Sequence, residues 1–281
     1  MQRFITVMLA LALVALIPFT GFLVLSHREK TAAPSSATLE AAREEYRDEK
    51  GTHTLGDGEK ALKKLATASV DDVQAVLKAR EEQKKNELKE QERNDAVEET
   101  IRRIQNGELS YRKVLSDLYV VGDSLMDGLR VYDILDSTHL VTKVSARLNH
   151  LEENFDKIVA MRPPILLMHY GLNYGTGEAQ SFANRYGNLI DRLKEALPNT
   201  RLIVSLVFPV ASSKQAGMGY IKDNNKALKQ MCAEKNVEYL DSAPVFKGHD
   251  EYYGKDGEHL QKFVYSDVWL PHVIRVLEIT A

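Results

Sequence analysis

One cysteine, Cys232, is all that 281 residues offer, so the chain can close no intrachain disulfide and build no cysteine-held metal cluster. Charge of one sign is also missing. Lys and Arg number 37 against 40 Asp and Glu, and a net charge of -3 gives no electrostatic case for nucleic acid or an anionic surface. There is no glycine-rich phosphate loop, and no spacing of His, Asp or Glu indicates a metal site. No cofactor is therefore expected, and any chemistry has to come from side chains and backbone. Cysteine usage leaves the compartment open, since a chain without disulfides can live anywhere.

The N-terminus lacks charge. Phe4 to Leu25 reads FITVMLALALVALIPFTGFLVL. As a helix this run is roughly 33 Å long, enough to cross a hydrocarbon core of about 30 Å. A signal-peptide apolar core is usually shorter, at about 7–15 residues. The reading is an uncleaved anchor, with a signal cleaved after Val24-Leu-Ser26 as the alternative. Arg3 precedes the run, while His27, Arg28 and Lys30 follow it, so flanking charge does not set the orientation. With so short a leading segment, the rest of the chain is expected outside the cytoplasm. No cysteine stands directly after the run, which excludes a bacterial lipoprotein anchor.

The next stretch lacks apolar periodicity. Thr31 to Ala37 is a small, polar linker, and Leu39 to Lys50 forms at most a short charged helix before the glycines at 51, 56 and 58. Ser69 followed by Asp72 reads as a helix start. No proline or glycine interrupts Val70 to Gln105, which predicts a long helix closed by Asn106-Gly107. Between Lys78 and Asp95, six basic residues (Lys78, Arg80, Lys84, Lys85, Lys89, Arg93) alternate with six acids (Glu81, Glu82, Glu87, Glu90, Glu92, Asp95). Leu88 is the only large apolar side chain there. Such a segment has no stripe to bury, and the reading is a solvated spacer rather than a coiled-coil stalk.

From about Ser110 short apolar runs alternate with amphipathic stretches. The expected strands are Leu118–Val121, Leu140–Val144, Ile165–His169, Leu202–Phe208 and Val237–Leu240. The expected helices are 125–135, 151–161, 179–196, 219–235 and 263–279. This predicts an α/β fold, a three-layer sandwich with a five-stranded parallel sheet. The expected domains are an anchor over 1–30, a linker and charged helical stalk over 31–109, and a catalytic domain over 110–281. In such a sheet the ligand crevice lies beyond the carboxyl ends of the strands. Ser124, Ser145 and Asn173 each fall there.

Gly122-Asp123-Ser124-Leu125 offers a hydroxyl at the first turn of a helix, where an unpaired N–H and the helix dipole suit an oxyanion. A capped helix start alone would also explain Asp123-Ser124. Gly171-Leu172-Asn173 offers an amide donor after the third strand, or a plain turn. Asp256-Gly-Glu-His259 offers an imidazole base and a carboxylate to orient it. His169, inside an apolar strand, reads as a satisfied core residue, and none of the seven histidines other than His259 is assigned catalysis.

These three blocks in this order resemble the SGNH, or GDSL-type, hydrolases over about residues 116–281. The resemblance implies an SGNH/flavodoxin-like sheet, Ser124 as nucleophile, His259 as base and Asp256 as its orienter. It further implies an oxyanion hole made by Ser124, Ser145 and Asn173. Gly171 is carried as a substrate-binding candidate. The family's second block usually supplies a glycine N–H, and here Thr142-Lys-Val-Ser-Ala-Arg-Leu148 contains none, so Ser145 takes that place. Tyr174 stands where many relatives carry aspartate. The expected reaction is acyl-enzyme ester hydrolysis, with O-acetyl esters of extracytoplasmic polysaccharide as substrate by analogy. The same residues also suit a polysaccharide or peptidoglycan O-acetyltransferase, which would need an acyl donor supplied by a membrane partner. A hydrolase of phospholipids or thioesters and a non-catalytic glycan-binding envelope protein are further readings. The expected partners are an acylated carbohydrate and, through the N-terminal helix, the membrane; nucleic acid is not among them.

Overall fold

A computed structural model describes residues 70–281. The membrane anchor read over 4–25, the linker and the short helix read over 39–50 lie outside the described residues. Among the described residues no helix is long and apolar enough to cross a membrane.

Helix α1 runs Val70–Gln105, as its unbroken helix-forming sequence predicts. Five parallel strands follow: β1 (Leu118–Gly122), β2 (Leu140–Thr142), β3 (Ile165–His169), β4 (Arg201–Ser205) and β5 (Glu238–Leu240). Their order in the sheet is β2-β1-β3-β4-β5. The helices between them include α2 (Ser124–Val131), α3 (Leu148–Glu153), α4 (Phe155–Met161), α5 (Ala179–Ala196), α6 (Tyr220–Lys235) and α7 (Leu270–Leu277). The central strands are apolar along their length because both faces are covered. Val120, Leu166, Leu167, Met168, Ile203 and Val204 are fully buried. The chain leaves β1 toward β2 and returns to β3 on the other side. This strand order places a topological switch point between the carboxyl ends of β1 and β3, the usual ligand crevice of an open α/β sheet.

The helix expected over 125–135 ends at Val131 and the strand expected over 140–144 ends at Thr142, and four further departures stand out. The fourth strand ends at Ser205 rather than Phe208, because the side chain of Asn225 captures the next peptide. It accepts from Val207 N at 2.8 Å and donates to Val207 O at 2.8 Å. The helix expected over 151–161 starts at Leu148 and breaks at Asn154, whose amide donates to His150 O at 2.8 Å. Such a side-chain bond offers the backbone an alternative to helix continuation. The last helix contains a π-helical turn, Val264–Trp269, before α7.

The fourth departure concerns the helix assigned to the stalk. Glu90–Ala281 form one compact unit, whereas the sequence reading begins the catalytic domain at residue 110. Val97 and Ile101 are buried in the core, with Ile104 packed against it. Their spacing of four and three residues is one helical face. Glu98 receives a two-pronged bond from Arg275 (2.5 and 2.9 Å), and Arg93 pairs with Glu278 at 2.6 Å. Polar density around Leu88 masked this short apolar stripe at the helix end.

Candidate active site

β1 delivers the chain directly into α2. Gly122 sits where any side chain would collide, since a Cβ there would lie 2.7 Å from Met126 Cγ and 2.8 Å from His169 O. Asp123 caps α2 by accepting from Leu125 N at 3.1 Å, and is fully buried. Ser124 follows, half-buried at the helix start. From the π-helical turn, Tyr265 donates its hydroxyl to Leu125 O at 2.6 Å and fixes the far side of this turn. π-Helical turns recur at functional sites.

Asp256 and His259 lie in a loop closed by an antiparallel bridge between Tyr253 and Leu260. Three further bonds hold it: Gly254 N to His259 O at 2.7 Å, Ala211 N to Gly257 O at 2.9 Å, and Tyr253 Oη to Pro209 O at 2.9 Å. Asp256 Oδ1 accepts from the backbone N–H groups of Glu258 and His259, both at 3.0 Å. Its Oδ2 lies 2.8 Å from His259 Nδ1, and His259 Nε2 lies 2.9 Å from Ser124 Oγ. With a proton on Nδ1 pointing at the carboxylate, Nε2 is left to accept the Ser124 hydroxyl proton. Burial opposes charge on Asp256. The two backbone N–H bonds and the His259 ring outweigh it and hold the carboxyl down at about 2.

After β2 the chain turns through Lys143–Ala146, with Ala146 N bonded to Lys143 O at 3.2 Å. Ser145 occupies the left-handed region at φ 57°, the conformation a glycine would take without penalty. For a residue with a Cβ this costs about 1–2 kcal/mol. The turn is anchored to the end of β1, because Lys143 N donates to Gly122 O at 3.1 Å, and to α2, because Thr142 Oγ1 donates to Asp127 at 2.7 Å. Asn173, half-buried after β3, donates one amide proton to Ala146 O at 3.0 Å, which ties it to the same turn and leaves its second proton free to donate. Gly171 is buried at φ 134°, and a Cβ there would lie 2.4 Å from Val207 Cγ2. Its place is in the turn that aims Asn173, not on the exposed wall of the site.

The structure thus brings Ser124, His259 and Asp256 into one hydrogen-bonded chain and links Asn173 to the Ser145 turn. Sequence reading missed the residues that support these loops. Asn224 of α6 donates to Gly171 O at 3.0 Å, and Tyr220 donates to Leu172 O at 2.9 Å. Tyr174 accepts from Leu148 N at 3.0 Å under the guanidinium of Arg147, which stacks 4.0 Å from its ring centroid. A polar asparagine on the core face of α6 was the one signal available. His169 is only half satisfied: its Nδ1 lies 3.0 Å from Ser205 Oγ, while Nε2 has no partner. Among the described residues no group of three or more His, Cys, Asp or Glu is placed to hold a metal ion.

Residues 120–263 match the model of the GDSL-like lipase/acylhydrolase family, half of the chain, and the protein belongs to that family. It is a carboxylic ester hydrolase of the SGNH type. Solved structures similar to it include a GDSL-like lipase from Parabacteroides merdae (16% identity, 57% of this chain and 94% of that one, TM-score 0.45). A lipase/acylhydrolase from Enterococcus faecalis is also similar (15% identity, 57% and 95%, TM-score 0.46). So is a variant of the acetyl xylan esterase Axe2 from Geobacillus stearothermophilus (13% identity, 56% and 93%, TM-score 0.42). No curated protein matches the chain.

Proposed function

We propose that Ser124, His259 and Asp256 are the catalytic triad of an ester hydrolase that works through an acyl-enzyme. The observation that carries this is the unbroken chain Ser124 Oγ–His259 Nε2 at 2.9 Å and His259 Nδ1–Asp256 Oδ2 at 2.8 Å. His259 takes the Ser124 proton as the oxygen attacks the ester carbonyl. The backbone N–H groups of Ser124 and Ser145 and the free amide proton of Asn173 hold the oxyanion. His259 then gives its proton to the leaving alcohol, takes one from water, and returns it to Ser124 as the acid departs.

The substrate we propose is an O-acetylated polysaccharide outside the cytoplasm, reached by a domain tethered through the N-terminal apolar run. Two observations support a polar, hydrated substrate. The side chains of His259 and Asp256 are 46% and 51% exposed. At Tyr174, the residue after Asn173, an open cavity of about 360 Å³ is lined largely by polar side chains, Arg147, Asn149, Glu178, Ser181 and Arg185 among them, of the kind that meet sugar hydroxyls.

The test is turnover of p-nitrophenyl acetate, with and without excess oligosaccharide, against Ser124→Ala. Hydrolysis predicts free acetate regardless of the sugar and a loss of about 10⁴-fold or more in the variant. Acetate appearing on the sugar would mark a transferase instead. Membrane fractionation, with protease added to intact cells, tests the tether and its orientation.

A further inference from the structure

The floor beneath Ser124 is polar, closed and incompletely paired. Asp123, His169 and Ser205 are all fully buried. Sheet register sets Gly122 beside His169 and His169 beside Ser205, which aligns the three along the carboxyl edge of β1, β3 and β4. Ser205 Oγ lies 3.3 Å from Leu206 O and 3.0 Å from His169 Nδ1. With its single proton on the carbonyl, Ser205 accepts from Nδ1–H and His169 Nε2 is a lone pair; with that proton on Nδ1, Nε2 carries the ring hydrogen. Nε2 faces Asp123, whose Oδ1 is 3.9 Å away and already accepts from Leu125 N. Both Nε2 and Asp123 Oδ2 lack a hydrogen-bond partner.

A carboxylate with an unpaired oxygen in a dry site is costly, and a proton on Asp123 removes its charge. Among the described residues no cation compensates. The groups that sense Asp123 are Tyr170 at the end of β3, Tyr186 of α5 and Tyr265 of the π-helical turn, all phenols pushed up by burial. Asp127, one turn along α2, is already engaged by Arg130 and Thr142. Burial pushes the Asp123 carboxyl up to about 7, against the pull of the Leu125 N–H, and pushes His169 down to about 3.

We propose that Asp123 is carried as the neutral acid facing His169 Nε2, which then takes the lone-pair tautomer, and that Asp123, His169 and Ser205 together position the Ser124 turn. The proposal rests on Ser124 being the nucleophile. A neutral Asp123 caps α2 without setting a negative charge behind the N–H of Ser124, where the oxyanion forms. When Asp123 gives its proton to solvent, His169 moves its own proton from Nδ1 to Nε2. Ser205 turns its hydroxyl from Leu206 O to Nδ1. The imidazole stays neutral and each group keeps its proton count. The carboxylate then opposes the oxyanion, and turnover falls on the alkaline side.

The experiment uses the full chain and Asp123→Asn, whose amide still accepts from Leu125 N and donates to His169 but cannot ionise. Wild-type kcat should fall about tenfold or more, the scale of a weakened oxyanion donor, as pH rises through about 7. In Asp123→Asn kcat should stay within about threefold over the same range. The resting wild-type protein should show a protonated-carboxyl C=O band by infrared spectroscopy that disappears through the same pH range and is missing from Asp123→Asn. An alkaline loss in Asp123→Asn equal to wild type, or no such titrating band in wild type, would overturn the proposal. The band is read without substrate, so it locates the proton independently of whether Ser124 proves to be the nucleophile.

Discussion

Asp256 with His259, and Asp123 with His169, place the same two residue types next to Ser124 in opposite surroundings. The first pair is about half exposed and lies in a loop, with both carboxylate oxygens bonded. The second is fully buried at the strand ends, 3.9 Å apart, with one atom on each partner unpaired. Hydrogen bonds hold Asp256 down at about 2, whereas burial holds Asp123 up at about 7. Residue type therefore does not set the role; solvation and the number of donors do. An ionised carboxylate orients the base, and an un-ionised one spares the oxyanion.

Asp256→Asn breaks the exposed pair with the largest effect. The amide no longer holds His259 in the Nδ1–H tautomer, and kcat should fall about 10²–10⁴-fold. A steady-state assay checks this, with the melting temperature as control for folding. A second break concerns the helix end buried in the core of the same domain. A chain beginning at residue 107 loses Val97 and Ile101, each contributing about 1.5–3 kcal/mol when buried. Against a chain beginning at residue 90, it should unfold about 3–6 kcal/mol more easily in urea.

The third prediction sharpens the contrast through pH. Asp123 has its pKa raised in the folded state, so its contribution is present below about 4 and lost as pH rises to about 7. Asp123→Asn has no such loss. Its stability relative to wild type should therefore climb with pH across that window, by at most about 1.4 kcal/mol per pH unit. Denaturant midpoints of both proteins at several pH values measure it. The smallest effect concerns Ser145. Ser145→Gly relieves the left-handed backbone strain but adds unfolded-state freedom, so it should stabilise by about 0.5–1 kcal/mol.

Much of this was legible in the sequence because it is local. The apolar run Leu118–Val121 ending in Gly-Asp-Ser, and the three-residue spacing of Asp256 and His259, announce a strand, a turn and a dyad. Helix 179–196 was read to the residue, since an amphipathic face needs only its own periodicity. What stayed hidden depends on partners distant in the chain. Nothing near His169 says that Ser205 and Asp123 flank it, and nothing near Val207 says that Asn225 ends its strand. The left-handed φ of Ser145 is likewise set by ties to Gly122 and Ala146, not by the serine.

The central claim, that Ser124 carries the acyl group, is tested most directly by trapping it. The full chain would be mixed with p-nitrophenyl acetate, quenched in acid during turnover, digested and analysed by mass spectrometry. Acetyl on Ser124, and its loss from the peptide in Ser124→Ala and His259→Ala, is the predicted result. Turnover with the acetyl group on another residue, or undiminished turnover in Ser124→Ala, would contradict it.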